Sequence, residues 1–390
     1  MRYWGIVQVF LLFILLGCSD PAVEPIDELE GKTAEEQFGS RIDFKNLPNY
    51  ANQDVPAYIL KDNAKLNPIT NEGAILGRVL FYDKILSIDN SISCSSCHLQ
   101  KFAFSDTAKV SRGVDGGVSV RHAMRLINAR FSEEQKFFWD ERAPNLESQT
   151  TMPIKDHAEL GYSGKGGRPG IDDMLAKLRK VRYYNELFEL AFGDTEITEI
   201  RVQKALAQFV RSIQSFDSKY DEGYNQQFTN FTASEMRGMG LFSTLPGAEK
   251  VGEINVRKSG GVGCFFCHRP PEFDIRPNTG NNGVVGVANN PGAIDITVTR
   301  APSLRDLANP DGILNGPLMH DGSITSFEEL IATIGKLEPN PANTNLEPVI
   351  SPGNDLMITD QERDDLIAFL KTLSGKAVYT DKRWSDPFEP

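Results

Sequence analysis

Two five-residue stretches carry the most specific chemistry in this 390-residue chain: Cys94-Ser95-Ser96-Cys97-His98 and Cys264-Phe265-Phe266-Cys267-His268. Two thiols three positions apart reach the two vinyl groups on one edge of a porphyrin and form thioethers. The histidine that follows then lies under the iron and supplies its proximal nitrogen. The pattern assigns two covalently attached c-type haems, with Cys94, Cys97, Cys264 and Cys267 as attachment points and His98 and His268 as axial iron ligands. A thioredoxin-like dithiol also uses Cys-x-x-Cys, but it does not require a histidine next, twice. A zinc site could combine the four cysteines of two such pairs. Against it stands the fact that every cysteine after position 18 falls in the five-residue motif. Two haems specify redox chemistry only. A carrier closes the sixth coordination position of the iron with Met or His, whereas an enzyme leaves an open, polar pocket.

The elements that must position these motifs read as helices. Asn71 can cap a helix over 71–80, and 172–181 and 198–213 carry apolar residues at helical spacing. Thr232 with Glu235, Ser326 with Glu329, and Thr359 with Glu362 each have the form of a capping box. No sustained alternating strand pattern appears. Long Gly, Asn and Pro segments such as 161–170 and 278–292 need something to pack against, and a large planar cofactor would serve. A faint repeat places Gly77, Leu80 and Phe81 before the first motif and Gly240, Leu241 and Phe242 before the second. The expected fold is mostly α: two cytochrome c-like haem domains with long irregular loops.

The first seventeen residues have a basic Arg2 and an uncharged apolar run over 7–16, the length of a signal-peptide core rather than of a membrane span. The run ends in Leu15-Leu16-Gly17-Cys18, which resembles a bacterial lipobox and makes Cys18 the lipid anchor. The expected organisation is a lipoprotein signal peptide over 1–17 and an acidic, Pro-rich tether over 18–45. An N-terminal haem domain follows over 46–215 and a C-terminal one over 216–380, placing the chain in the cell envelope, facing the periplasm. Hydrophobic residues at 40%, charged residues at 24% and a net charge of −12 suit a soluble globular protein and argue against nucleic-acid binding.

From Gly77 to Leu373 the chain resembles the bacterial dihaem cytochrome c peroxidases, a family that includes the MauG-type enzymes. The matching stretches are Gly77-Arg78-Val79-Leu80-Phe81-Tyr82-Asp83, Phe138-Trp139-Asp140-Glu141-Arg142-Ala143, Pro153-Ile154 and Glu159-Leu160-Gly161. In the second half they are Ala301-Pro302-Ser303-Leu304-Arg305 and Met319-His320-Asp321-Gly322. The resemblance implies that the haem on His98 is the peroxidatic one. It makes Glu159 the distal acid–base group and Trp139 an electron relay between the haems. Taken alone, Glu159 reads as a surface carboxylate and Trp139 as a core aromatic.

Two departures stand out. Relatives that need reductive activation carry a capping histidine on the loop after the first motif, whereas 99–121 holds none here. His122 falls instead where the family has an asparagine that helps to bind calcium between the domains, so calcium is left open. A structural, hydrogen-bonded role for His122 competes with a ligand role, and His157 and His320 read as structural. At the place of the family's methionine, or MauG's tyrosine, on the second haem stands Ile334, which cannot coordinate iron. The nearest alternative is Met319, which also reads as a core methionine. The implied activity is reduction of hydrogen peroxide with electrons from a monohaem cytochrome c or a cupredoxin. The rivals are a MauG-type oxidase of a protein or small molecule and a non-enzymatic dihaem carrier.

Overall fold

In the computed structural model, which describes residues 30–388, two pairs of crossed helices set out the architecture. Helix Asn71–Tyr82 crosses helix Glu199–Ser212 at Gly77, where a Cβ would come within 2.0 Å of the Ala205 carbonyl oxygen. Helix Ala233–Ser243 crosses helix Asp360–Lys371 at Gly238 in the same manner, with the Asp365 carbonyl oxygen 1.9 Å from the built Cβ. In both crossings the next nearest side chain is a phenylalanine, Phe209 or Phe369. Only glycine allows backbones so close. One turn further on, Phe81 and Phe242 occupy matching places and each faces a different cavity. The repeat is therefore real, but its glycine is Gly238. Gly240 has nothing within 4 Å of a built Cβ.

Each crossing seeds a hydrophobic cluster. The first gathers buried residues from Ala34 to Ile213 together with Val378 and Trp384, and the second runs from Tyr220 to Leu373. The described part of the segment expected as a tether over 18–45 is partly packed. Thr33 caps a short helix, Ala34–Phe38, and Phe38 and Ile42 are fully buried in the first cluster. Acidic composition hid these apolar anchors. The C-terminal segment likewise returns to the first cluster, where Tyr82 donates to the Trp384 carbonyl at 2.6 Å and Arg78 to that of Ser385 at 2.7 Å.

The expected helices form, with shifted caps. Thr70, not Asn71, caps the first by accepting from the Gly73 amide, while the Asn71 side chain accepts from the Tyr50 and Ala51 amides. Thr232 and Thr359 make full capping boxes; at Ser326 the Glu329 carboxylate turns instead to Thr325. Helices Ile171–Lys180 and Arg182–Phe192 complete the first half. An exposed hairpin, Pro246–Val251 with Ile254–Gly260, pairs in parallel with Asn354–Asp355, which pairs antiparallel with Lys336–Leu337. Among the described residues no helix is long and apolar enough to cross a membrane. The signal segment and Cys18 lie outside them.

Candidate haem sites

The first motif turns through a short 3₁₀ segment, Cys94–Ser96, and brings Cys94, Cys97 and His98 to one cavity of about 230 Å³. The same cavity is lined by Phe81, Glu159, Trp139, Arg142 and Gln149. His98 Nδ1 lies 3.1 Å from the Phe104 carbonyl oxygen. That bond fixes the ring and leaves Nε2 as the lone-pair donor a metal needs. The second motif, on segment Cys264–Phe266, opens into a larger cavity of about 470 Å³ with Cys264, Cys267, His268, Met319 and Ile334 in its wall. Here His268 Nδ1 is buried with no hydrogen-bond partner among the described residues.

The donor sets fit two c-type haems and not the alternatives. Cys94 and Cys97 line one cavity and Cys264 and Cys267 the other, so the four thiols do not converge on a zinc ion. Among the described residues no group of three or more His, Cys, Asp or Glu side chains could hold a metal ion. Burial pushes the thiols of Cys94 and Cys264 up to about 12 and those of Cys97 and Cys267 up to about 11. A reactive dithiol needs the opposite shift.

Glu159 sits on a loop held by its own backbone. The Ala158 and Glu159 amides donate to Asp156 Oδ1 at 2.8 and 3.0 Å, and the Glu159 carbonyl accepts from the Val114 amide at 3.0 Å. Gly113 is obligatory opposite, since a Cβ there would lie 1.8 Å from the Ala158 oxygen. Among the described residues the carboxyl makes no ion pair, and burial, helped by the charge of Asp156 and opposed by Arg142, pushes its pKa up to about 7. At neutral pH it can both take and give a proton.

Trp139 stands in the wall between the cavities, lining both. Its Nε1 donates to the His122 carbonyl at 2.8 Å, its carbonyl accepts from the Thr299 and Arg300 amides, and its ring meets His320 edge-on with centroids 6.2 Å apart. The loop carrying it has a twin. Phe137 bridges Ala143 with positive φ at Phe138 and Glu141; Leu318 bridges Ile324 with positive φ at Met319 and Gly322. Met319 thus holds in the second half the place of Phe138 in the first. Its sulfur accepts from the Asn282 amide nitrogen at 3.4 Å.

His122 is a structural residue in its contacts: Nδ1 lies 3.0 Å from the Ala108 oxygen, Nε2 lies 3.4 Å from Ser105 Oγ, and burial lowers its pKa to about 4. Beside it, Arg121 bridges Asp140 at 2.6 Å and Asp295 at 2.7 Å, tying the two halves together. His157 bonds Ser163 Oγ and His320 the Gly286 carbonyl, both structural roles. Arg125, Arg142 and Gln149 escaped the sequence reading, because each reaches its cavity only through tertiary closure.

The relatives agree with this geometry. A family model for di-haem cytochrome c peroxidase matches residues 71–229. The methylamine utilization protein MauG of Methylorubrum extorquens is 30% identical over 320 residues, 80% of this chain and 81% of the relative. The cytochrome c551 peroxidase of Nitrosomonas europaea is 26% identical over 320 residues, 80% of this chain and 82% of the relative. A crystal structure of a MauG-like protein associated with microbial copper homeostasis superposes with a TM-score of 0.69 at 29% identity, covering 87% of this chain and 99% of that one. With its two Cys-x-x-Cys-His cavities and the tryptophan between them, the chain belongs to the di-haem cytochrome c peroxidase family, which includes both peroxidases and MauG.

Proposed function

We propose that this protein is a peroxidase that converts hydrogen peroxide, two electrons and two protons to two waters, drawing the electrons from a small redox protein. The observation that carries the reading is the placement of Glu159, with a pKa near 7, in the same cavity as Cys94, Cys97 and His98. A haem bound there supplies the iron and the electrons for cleaving the O–O bond. Glu159 takes the proton from one peroxide oxygen and returns it to the other, so that the leaving oxygen departs as water. Gln149 and Arg142 line the same cavity and offer donors to the peroxide. His98 holds its ring through the Phe104 carbonyl, and Trp139 offers the aromatic path between the cavities.

In this reading the N-terminal unit, 46–215, houses the peroxidatic haem and the C-terminal unit, 216–380, the haem at which electrons enter. Met319, in the wall of the second cavity, would help to hold the second haem. Cys18 anchors the protein by lipid to the cell envelope. A MauG-type oxidase is the second reading, favoured by the 30% identity to MauG. The resting ferric spectrum separates both enzymes from a carrier. The proposal requires a high-spin component, and purely low-spin bands at both haems would refute it.

A further inference from the structure

Arg125 is the least satisfied charge in the interior. It is 9% exposed and its only described hydrogen bond runs from Nη2 to the Ser303 carbonyl at 3.0 Å. Its Nε is buried with no hydrogen-bond partner among the described residues, and Asp306 acts on it by charge alone, without an ion pair. Among the buried arginines described, Arg125 is the one whose Nε is left without a partner; the others are held by ion pairs or by carbonyl and hydroxyl oxygens. Arg305 meets Asp221 at 2.9 Å, Arg211 pairs with Glu147, and Arg300 donates to the Glu134 and Lys136 carbonyls and to Ser132 Oγ. A buried charge without a direct ion pair is costly, and an anion brought to Arg125 would offset that cost.

The place of Arg125 says which anion. It lines both cavities, whereas each cysteine pair lines only one. The cysteines hold the vinyl edge of a haem, and the two propionate carboxylates lie on the edge away from it. Resting on the two-haem reading above, we propose that Arg125 is the shared counter-ion for propionates of both haems and so raises both reduction potentials together. A fixed positive charge favours the ferrous over the ferric state, and the planar guanidinium fork suits carboxylates from two sides.

Intact mass in denaturant and spectroelectrochemical titration test this on the haem-loaded protein. Fewer than two haem additions in the wild type would refute the two-haem reading itself, separately from Arg125. With two haems present, Arg125→Gln should lower both midpoint potentials, and Arg125→Lys should lower both by less. Unchanged potentials, or a shift at one haem alone, would overturn the shared role. Should the Gln variant not accumulate, Arg125→Met takes its place as a second neutral variant, and potentials equal to the wild type's reject the proposal. At constant ionic strength, replacing chloride by a bulky sulfonate should leave the wild-type potentials in place. A dependence on the anion would assign Arg125 to a diffusible ion instead.

Discussion

Replacing Glu159 by Gln removes the one carboxyl in the first cavity whose ionisation falls near neutrality, while keeping its size and its hold on the loop. With a folded pKa of about 7, half of the groups are carboxylate at pH 7 and about 1% at pH 5. Because proton abstraction from peroxide needs the carboxylate, the second-order rate with peroxide should fall about 50-fold across that range in the wild type. In Glu159→Gln the rate at pH 7 should drop by about 10² to 10⁴-fold and lose its pH dependence. Both haem spectra should stay unchanged. Glu159→Asp should keep the titration at a lower rate, since it withdraws the carboxyl by one methylene. Stopped-flow absorbance from pH 5 to 8 measures all three. A Gln variant within a few-fold of the wild type, or one that keeps the pH profile, would refute the assignment. The same shift carries a sign for stability. A carboxyl whose folded pKa is raised adds stability below its ordinary value near 4.5, and that stability is lost as pH rises through about 7. Glu159→Gln should therefore gain on the wild type in denaturant melts as pH rises from about 4.5 to about 7, and hold that gain above it.

The fully oxidised protein should bind peroxide without prior reduction. His122 would have to give up two hydrogen bonds, each worth about 0.5–1.5 kcal/mol, to act as a cap. A reaction that appears only after one-electron reduction, and that His122→Ala restores to the oxidised form, would show a cap after all. Met319→Leu should turn the second haem from low-spin to high-spin and leave the first alone; an unaltered low-spin spectrum would remove Met319 as ligand. Gly238→Ala should cost about 1–3 kcal/mol in denaturant melts through overpacking against the Asp365 carbonyl, while Gly240→Ala should gain about 0.5–1 kcal/mol. Equal effects at the two positions would contradict the helix crossing.

The chemistry of this chain was legible where it is local. The haem motifs need only five consecutive residues, and Thr198, Thr232 and Thr359 announce their helices because a cap bonds within one turn. Glu159 and Trp139 were singled out through flanking residues that match a family, not through any property of their own. What escaped depends on distance in sequence. Gly238 differs from Gly240 only by what crosses it, and the Asp365 backbone lies more than a hundred positions away. Arg125 looks like any surface arginine until two cavities close on it. Phe38 and Ile42 were masked by acidic neighbours, and the hairpin 246–260 by strands too exposed to alternate.

The central claim is peroxide reduction at the Glu159 cavity with electrons delivered through the second haem. Steady-state oxidation of a reduced monohaem cytochrome c by hydrogen peroxide tests it most directly, using protein whose mass shows two haems. The account predicts turnover with two cytochromes oxidised per peroxide consumed, abolished in Glu159→Gln and in His268→Ala. Haem-loaded protein that leaves both peroxide and the reduced cytochrome untouched would contradict it.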